Sequence, residues 1–289
     1  MIPSRVMAAK LRILCIAGPT ASGKSARAVT EALAQKGEVV SVDSRQVYRG
    51  LNIGTEKITT EEMCGVPHHL IDIREVRETY SAGDFVTDAT RLISEITERG
   101  KLPILVGGSH FYFDALLRGL PTGVDANPQL RAVLDALPTE ELYAQVAARD
   151  SRRAQGLDPH NRRRLIRALE IIATRGFVPE RSAAESPYQV EWLVIDPPRE
   201  ELRPRIDARL ARAFDQGLTE EVRRVREEVG DARLDELGLE YKIVGEYVRN
   251  ERTFESLLPA LSAKLWHYAR RQKAWLRKLR SEETISAES

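Results

Sequence analysis

Three things are scarce in this sequence: cysteine, long apolar runs and net charge. Only Cys15 and Cys64 are cysteines among its 289 residues. Because Cys15 lies in an apolar segment, we expect no structural disulfide and a reducing, cytoplasmic location. No apolar run approaches the roughly 20 residues of a membrane span, and the first one leads into a glycine-rich motif that cleavage of a secretory signal would destroy. An apolar fraction of 42% and a charged fraction of 30% indicate a soluble globular protein.

The formal net charge is only +1, which by itself argues against a polyanionic partner. The charges are unevenly distributed, however. Residues 151–175 contain seven arginines against two acidic residues, and residues 264–280 contain seven basic residues and no acidic one. Charge runs on helices are commonly solvated faces, but two separated basic segments on a nearly neutral chain favour a long polyanion such as a nucleic acid.

A phosphate-binding loop is the most specific motif. Residues 11–17 are an apolar run typical of a buried strand, and residues 26–36 have the pattern of a helix that ends at Gly37. Between them, glycines allow backbone N–H groups to converge on a phosphate at a helix N-terminus. The lysine can reach outer phosphate oxygens and the last hydroxyl can bind Mg²⁺. The motif is Gly18-Pro19-Thr20-Ala21-Ser22-Gly23-Lys24-Ser25.

The alternation of apolar runs and helical patterns predicts an α/β fold, a P-loop NTPase-like parallel sheet flanked by helices. A helix is predicted at 84–99, with Asp84 as its N-cap. The C-terminal part is predicted to be helical, with amphipathic stretches at 200–229 and 257–279. Strands are predicted at 11–17, 38–42, 102–106 and 191–195.

A helical insertion interrupts the predicted sheet. The pattern is purely helical from 127 to 176, with Asn127-Pro128 and Asp158-Pro159 each predicted as a cap residue followed by the first helical position. A break precedes it at Pro121-Thr122-Gly123. We therefore predict an insertion domain at 121–187 within a core formed by residues 1–120 and 188–289.

Polar residues follow two other predicted strands. Asp43 comes directly after strand 38–42, and Ser109 follows Gly107 and Gly108 at the end of strand 102–106. Ligands of open parallel sheets bind beyond the carboxyl ends of the strands, so both residues are expected beside the phosphate loop. Asp43 could bind Mg²⁺ or act as a general base, the alternative being a helix cap. Ser109 could donate to a phosphate oxygen.

Two residue pairs suggest binding sites. Arg205 and Arg209 lie one helical turn apart and could clamp a diphosphate or form part of a salt-bridged surface. His68 and His69 are adjacent, and neighbouring residues of a strand point to opposite faces. We therefore favour hydrogen-bonding roles for these histidines over a zinc site.

Taken in order, these residues resemble the tRNA dimethylallyltransferases, also called tRNA isopentenyltransferases. The resemblance covers about residues 11–278. The phosphate loop is shared with many nucleotide enzymes, whereas the Asp-Ser-Arg-Gln, His-His-Leu-Ile-Asp and Arg-Gln-x-x-Trp segments are more specific. The other matching segments are Asp43-Ser44-Arg45-Gln46-Val47-Tyr48, His68-His69-Leu70-Ile71-Asp72, Val106-Gly107-Gly108-Ser109, Arg164-Leu165-Ile166-Arg167-Ala168-Leu169-Glu170, Gly238-Leu239-Glu240-Tyr241-Lys242 and Tyr268-Ala269-Arg270-Arg271-Gln272-Lys273-Ala274-Trp275-Leu276-Arg277.

The resemblance implies a function. The family transfers the dimethylallyl group of dimethylallyl diphosphate to the N6 amine of the adenosine just 3′ of the anticodon, in tRNAs that read codons beginning with U. It implies that Asp43 is the base, that Ser109 and Arg209 contact the diphosphate, and that Mg²⁺ binds Ser25. We expect a monomer that binds the anticodon stem-loop. The implied tRNA-binding residues are Asp43, Ser44, Arg45, Gln46, Ser109, Arg131, Arg163, Arg164, Leu165, Ile166, Arg167, Tyr241 and Lys242.

The sequence departs from the family pattern at three positions. Ser25 and Ser109 stand where Thr is common, and both keep the hydroxyl. Glu240 stands where Gly is frequent. Two other functions compete with prenyl transfer. A small-molecule or nucleoside kinase would use the same loop and close the arginines of 152–167 over ATP, but it leaves the Arg-Gln-x-x-Trp helix without a purpose. A non-enzymatic nucleic-acid module would not need Asp43 and Ser109 beside the loop.

Overall fold

The computed structural model describes residues 10–120, 124–180 and 186–282. It divides into two compact units: a core of Met1–Leu117 and Ser186–Ser289, and a helical unit of Arg118–Glu185. The insertion expected from the sequence, 121–187, covers nearly the same residues as the helical unit. The predicted break at Pro121-Thr122-Gly123 lies outside the described residues.

The core is built on a five-stranded parallel sheet, which confirms the predicted fold class. The order of its strands is β3-β2-β4-β1-β5. Residues of β2 and β4 are buried along their whole length, as expected where helices cover both faces of a parallel sheet. The strands are β1 (Leu11–Ala17), β2 (Gly37–Val42), β3 (His68–His69), β4 (Leu102–Gly107) and β5 (Tyr188–Val194).

Seven helices accompany this sheet in the described part of the chain. Helix α2 packs an apolar face on the core, and five residues of that face are buried: Phe85, Ala89, Leu92, Ile93 and Ile96. The seven helices are α1 (Lys24–Gln35), α2 (Ala82–Glu98), α3 (His110–Arg118), α8 (Arg199–Asp215), α9 (Leu218–Glu236), α10 (Leu239–Val248) and α11 (Leu257–Glu282), with a short 3₁₀ turn at Phe254–Ser256 before α11.

Several predicted boundaries were wrong, each for a local reason. Helix α1 ends one residue before Lys36, which adopts the left-handed conformation (φ 52°), so Gly37 is free to start β2. Ser81 rather than Asp84 caps α2; Asp84 completes a capping box by accepting a hydrogen bond from the Ser81 backbone N–H. Strand β5 begins three residues earlier than predicted, at Tyr188.

The helical unit has its own apolar core, centred on Leu142, Val146 and Leu169. The predicted start at Asn127-Pro128 is confirmed, because the Asn127 side chain accepts from the Leu130 N–H. The predicted start at Asp158-Pro159 is wrong: Asp158 accepts from the His160 N–H in a turn, and Asn161 caps the helix. The helices of this unit are α4 (Pro128–Asp135), α5 (Thr139–Arg149), α6 (Ser151–Gln155) and α7 (Arg162–Arg175).

Among the described residues, none of the helices combines the length and the apolar character needed to cross a membrane.

Candidate active site at the carboxyl edge of the sheet

Three neighbouring strands end side by side and deliver the predicted chemical groups to one edge. Gly107 at the end of β4 is in register with Ala17 of β1 and with Val42 of β2. The backbones are so close here that a Cβ on Gly107 would lie 2.0 Å from the Val42 carbonyl oxygen. The phosphate loop, Asp43 and the Gly108–Ser109 turn therefore emerge together, as the strand-end rule predicts.

These strand ends line a cavity of about 330 Å³. The cavity also receives residues from α8, α10 and α11. Ten of the residues predicted to act are among its lining: Thr20, Lys24, Ser25, Asp43, Ser44, Arg45, Gln46, Ser109, Arg209 and Tyr241. Lys242, in contrast, is an exposed residue outside the lining.

The phosphate loop has the backbone form that its glycines predict. Gly23 takes a positive φ (85°) just before α1, which directs backbone N–H groups toward a common point. A Cβ on Gly18 would lie 2.7 Å from the carbonyl oxygen of Ile195, so a larger residue does not fit there. The Ser22 hydroxyl is buried and has no hydrogen-bond partner in the described structure.

Lys24 is the cation of the loop. Its Nζ donates to the carbonyl oxygen of Pro19 at 3.3 Å. Burial lowers the pKa of the Lys24 ammonium, and the nearby carboxylates of Asp43 and Glu56 oppose that shift. A bound diphosphate would oppose it further, because an adjacent anion stabilises the charged form of a lysine.

Asp43 is held in place by its own turn. One carboxylate oxygen, Oδ1, accepts from the N–H groups of Arg45 at 2.8 Å and Gln46 at 3.3 Å. The residue is partly exposed and borders the cavity. A carboxylate fixed by backbone donors beside a phosphate loop is suited to accept a proton from a substrate or to bind a cation.

The amide of Gln46 is committed to protein partners. Its Oε1 accepts from the Ser41 hydroxyl at 3.0 Å, and its Nε2 donates to the carbonyl oxygens of Thr55 at 3.2 Å and Glu56 at 3.3 Å. A contact of the Gln46 amide with tRNA, as the resemblance implies, would have to replace one of these bonds. In this structure the side chain anchors the loop around residue 55.

Only Arg209 of the two predicted arginines reaches the cavity. Arg209 is 8% exposed; it donates to the hydroxyl of Thr20 in the phosphate loop and pairs with Glu240 at 3.1 Å and with Glu56 at 3.3 Å. Arg205 lies on the surface, where it pairs with Glu201 at 2.7 Å. Because the guanidinium of Arg209 touches the phosphate loop, it is the better placed of the two for a diphosphate.

The loop around Gly54, which sequence reasoning missed, is organised by a buried carboxylate. Glu221 of α9 is 3% exposed and accepts from the N–H groups of Asn52, Ile53 and Gly54 at 3.0–3.1 Å. It also accepts from the Tyr241 hydroxyl at 2.7 Å, and burial together with Glu221 raises the pKa of that phenol. Glu221 thus holds the loop whose carbonyl oxygens bind Gln46 and Arg209.

Helix α11 contributes lining residues that were used only to recognise the resemblance. Tyr268, Arg271 and Gln272 border the cavity. Their spacing of three and four residues places them on one face of a helix, and this spacing was the signal available in the sequence. Glu240 is a further lining residue that was not predicted for the site. Burial raises the pKa of its carboxyl, while Arg209 opposes the shift.

The two histidines of β3 have hydrogen-bond partners. His69 Nε2 lies 2.7 Å from a carboxylate oxygen of Glu38, which also pairs with Arg99, and His68 Nδ1 lies 2.8 Å from the carbonyl oxygen of Val66. His68 borders the cavity. These contacts agree with the hydrogen-bonding roles favoured from the sequence.

In the helical unit, several residues expected to bind tRNA are part of the fold. Leu165 and Ile166 are buried in its apolar core, at 0% and 6% exposure, so their side chains are not available to an RNA. Arg131 and Arg167 both bind the carboxylate of Glu170, whose side chain is fully buried. Arg163 and Arg164, in the first turn of α7, are exposed.

Comparisons with known proteins point to one family. The family described as IPP transferase matches residues 46–279. A tRNA dimethylallyltransferase of Trichlorobacter lovleyi is 41% identical over 278 residues, which are 93% of this chain and 91% of the relative. One of Thermomicrobium roseum is 41% identical over 94% of this chain and 85% of the relative.

Solved structures give the same result. The tRNA isopentenylpyrophosphate transferase of Bacillus halodurans superimposes with a TM-score of 0.70 and 37% identity, covering 93% of this chain and 87% of the other. A eukaryotic dimethylallyltransferase acting on tRNA superimposes with a TM-score of 0.79 and 25% identity, covering 92% of this chain and 69% of the other.

Proposed function

The chain belongs to the IPP transferase family, and on that premise we propose that it transfers a dimethylallyl group from dimethylallyl diphosphate to the N6 amine of an adenosine in tRNA. The target is the adenosine just 3′ of the anticodon in tRNAs that read codons beginning with U. The observation that carries the proposal is the cavity in which the phosphate loop, Asp43 and Ser109 meet. The relatives that the chain matches are named tRNA dimethylallyltransferases, which favours prenyl transfer over the kinase alternative.

The phosphate loop holds the leaving group in this proposal. As the amine nitrogen attacks the allylic carbon, the bond from that carbon to the diphosphate oxygen breaks, and the diphosphate leaves with the bonding electrons. Backbone N–H groups of the loop, Lys24 and Arg209 stabilise the negative charge that develops on it. Ser109, at the neighbouring strand end, donates a further hydrogen bond.

Asp43 removes the proton. An amine that forms a new bond to carbon becomes positively charged and must lose a proton to become neutral again. A carboxylate within hydrogen-bond reach can accept that proton. The backbone N–H groups of Arg45 and Gln46 fix the Asp43 carboxylate at the edge of the cavity. Its orientation is therefore set before substrates bind.

A magnesium ion fits the donors that are present. The hydroxyl of Ser25 borders the cavity next to Lys24 of the phosphate loop, and it is a hard oxygen ligand of the kind that Mg²⁺ prefers. Ser25 is the residue that would hold it. When bound, the ion would offset charge on the departing diphosphate.

The RNA is bound by basic surface. The adenosine must leave its stack to enter the cavity, which costs a few kcal/mol and less in a flexible loop than in a duplex. Phosphate contacts from Arg163 and Arg164 in the first turn of α7 and from the exposed basic residues of α11 would offset that cost. We propose a monomer acting on the anticodon stem-loop in the cytoplasm.

The test weighs the RNA product. The protein is incubated with Mg²⁺ and an anticodon stem-loop RNA, together with either dimethylallyl diphosphate or ATP. We expect a mass gain equal to one dimethylallyl group with the diphosphate substrate and no gain with ATP. An RNA with inosine in place of the target adenosine is the control, since it lacks the amine. No prenyl gain, together with phosphoryl transfer from ATP to a small acceptor, would establish the kinase instead.

A further inference from the structure

The Arg-Gln-x-x-Trp segment of α11 has no part in the chemistry described above, yet its glutamine lies beside the reacting groups. Gln272 is 3% exposed. Its Oε1 accepts from the backbone N–H of Thr20 at 3.0 Å, and its Nε2 donates to the carbonyl oxygen of Gly108 at 2.9 Å. One amide therefore links the phosphate loop after β1 to the turn after β4.

The fit around this amide is tight. A Cβ on Gly108 would lie 2.3 Å from Gln272 Nε2, so only glycine lets the turn approach the amide. Both tethered residues adjoin groups of the diphosphate site: Thr20 accepts from Arg209, and Gly108 precedes Ser109. The Ser109 N–H in turn donates to the carbonyl oxygen of Val42, next to Asp43, at 3.3 Å.

Trp275 fixes the other side of the same turn. It lies one helical turn beyond Gln272, and its ring packs against His110 and Phe113, with centroids 5.7 and 6.0 Å apart. His110 is the first residue of α3 and directly follows Ser109. Helix α11 thus contacts the chain on both sides of Ser109, at Gly108 through Gln272 and at His110 through Trp275.

We propose that Gln272 is a positioning residue for prenyl transfer: it sets the separation between the phosphate loop and Ser109, so that both reach the same diphosphate. This role rests on the proposed function. Gln272 acts through Thr20 and Ser109, because both polar atoms of its amide are engaged by backbone groups. Trp275 supports it by holding the start of α3.

The first test replaces the amide by an apolar side chain of similar length. Gln272→Met is expected to weaken binding of inorganic pyrophosphate about tenfold and to raise KM for dimethylallyl diphosphate by a similar factor, because two buried hydrogen bonds are lost. KM for the RNA should stay within about twofold, since phosphate contacts to RNA come from other residues. Isothermal titration calorimetry with pyrophosphate and steady-state kinetics measure these values.

The matched control is the next residue of the same helix. Lys273→Met removes the contacts of Lys273 with the Pro197 carbonyl oxygen and with Asp196, which fasten α11 to the end of β5 without touching either loop. Both variants should lower Tm, but Lys273→Met should keep the pyrophosphate affinity and the KM for dimethylallyl diphosphate of the unmodified protein. Equal losses in the two variants would overturn the proposal, because the contact would then only dock the helix.

A second variant, Gln272→Glu, is compared with itself at two pH values, so a folding defect that does not depend on pH cannot produce the expected change. In Gln272→Glu, an ionised carboxylate can accept from Thr20 but faces the Gly108 carbonyl oxygen, whereas the protonated acid both accepts and donates as the amide does. Pyrophosphate affinity relative to the unmodified protein should therefore recover between about pH 8 and about pH 6, since burial beside a carbonyl raises a carboxyl pKa. A ratio independent of pH contradicts the positioning role. If the unmodified protein transfers no prenyl group, the proposed function fails, while the pyrophosphate comparison still tests Gln272.

Discussion

In the core, Arg209 is buried and borders the cavity, while Arg205, one helical turn earlier, is exposed and pairs only with a neighbour on the surface. In the helical unit exposure does not separate the arginines in this way. Arg131 and Arg167 are tied to the buried Glu170, and the exposed arginines at the start of α7 face solvent. Arg209 is thus itself buried beside the cavity, whereas Arg131 and Arg167 stay partly exposed and are bound by a carboxylate that is buried.

The carboxylate that accompanies each arginine explains the difference. Glu240 and Glu56 hold Arg209 against the phosphate loop, at the edge of an open cavity. Glu170 is closed in: its oxygens accept from Arg131, from Arg167 and from the Asn127 N–H. The seven arginines of residues 151–175 therefore offer an RNA less charge than their number suggests, because Arg167 is bound to Glu170 within the helical unit.

The largest predicted effect separates chemistry in the core from RNA binding. Asp43→Asn removes the general base while an amide oxygen can still accept from the Arg45 N–H, so kcat should fall about 10³-fold. The affinity for the anticodon stem-loop should change less than about twofold, because base catalysis contributes nothing to ground-state binding. Single-turnover kinetics and a filter-binding assay measure the two quantities. A matching loss of RNA affinity would show that Asp43 binds the substrate rather than deprotonating it.

The next effect is on the stability of the helical unit. Glu170→Ala leaves Arg131, Arg167 and the Asn127 N–H without their shared acceptor, and we expect unfolding of the helical unit to become easier by about 3 kcal/mol. Urea unfolding followed by hydrogen exchange in residues 124–180 measures it. Glu221→Ala is the counterpart in the core and should leave exchange in that range unchanged.

The pH dependence of folding stability gives a second test of Glu170. Burial alone would raise the pKa of the Glu170 carboxyl, but hydrogen bonds from Arg131, the Asn127 N–H and Arg167 outweigh it and lower the pKa below 4.5. A lowered pKa stabilises the folded state above the unfolded value, and that contribution is lost as pH falls through the folded value. Glu170→Gln should lack this acid-dependent component. An unchanged acid transition in Glu170→Gln would mean that Glu170 does not control it.

The fold was largely predictable because β1, β2 and β4 are buried apolar runs that end at glycine or at a polar residue. Strand β3 was not among the four predicted strands, although His68 and His69 were treated as strand neighbours; its two residues pair with Val39 and Val40 of β2. The helix start at Asp158-Pro159 was wrong because a nearby Asn161 competes as a cap. Such choices between neighbouring signals depend on packing that a local pattern does not contain.

The site was predictable as far as strand ends determine it. Asp43, Ser109 and the phosphate loop follow from the rule for parallel sheets. The choice of Arg209 over Arg205 depends on where the cavity lies along α8, because residues four apart share a face but lie about 6 Å apart along the helix axis, and the sequence does not give that position. Glu221 could not be found at all, because it binds backbone N–H groups 167–169 residues away, and backbone partners leave no mark in the sequence.

A smaller effect, on RNA affinity, is expected from the arginines at the start of α7 that are not bound to Glu170. Removing both exposed arginines, in Arg163→Ala/Arg164→Ala, should weaken stem-loop binding about tenfold and reduce the salt dependence of binding by up to about two phosphate contacts. Tm should not change. Fluorescence anisotropy at several salt concentrations measures the slope. Arg149→Ala/Arg175→Ala, with the same charge change on exposed residues of the same unit, should keep the slope; an equal loss there would indicate a general charge effect.

The smallest effect is expected at Arg205, where the comparison within the core is sharpest. Arg205 has a half-exposed side chain and one surface ion pair, to Glu201, and such pairs contribute about 0–1 kcal/mol. Arg205→Ala should therefore leave Tm and KM for dimethylallyl diphosphate nearly unchanged, whereas Arg209→Ala should raise KM and lower kcat because it removes a guanidinium bound to the phosphate loop. If Arg205→Ala were as damaging as Arg209→Ala, burial would not distinguish the two arginines, and the diphosphate would have to reach beyond the described cavity.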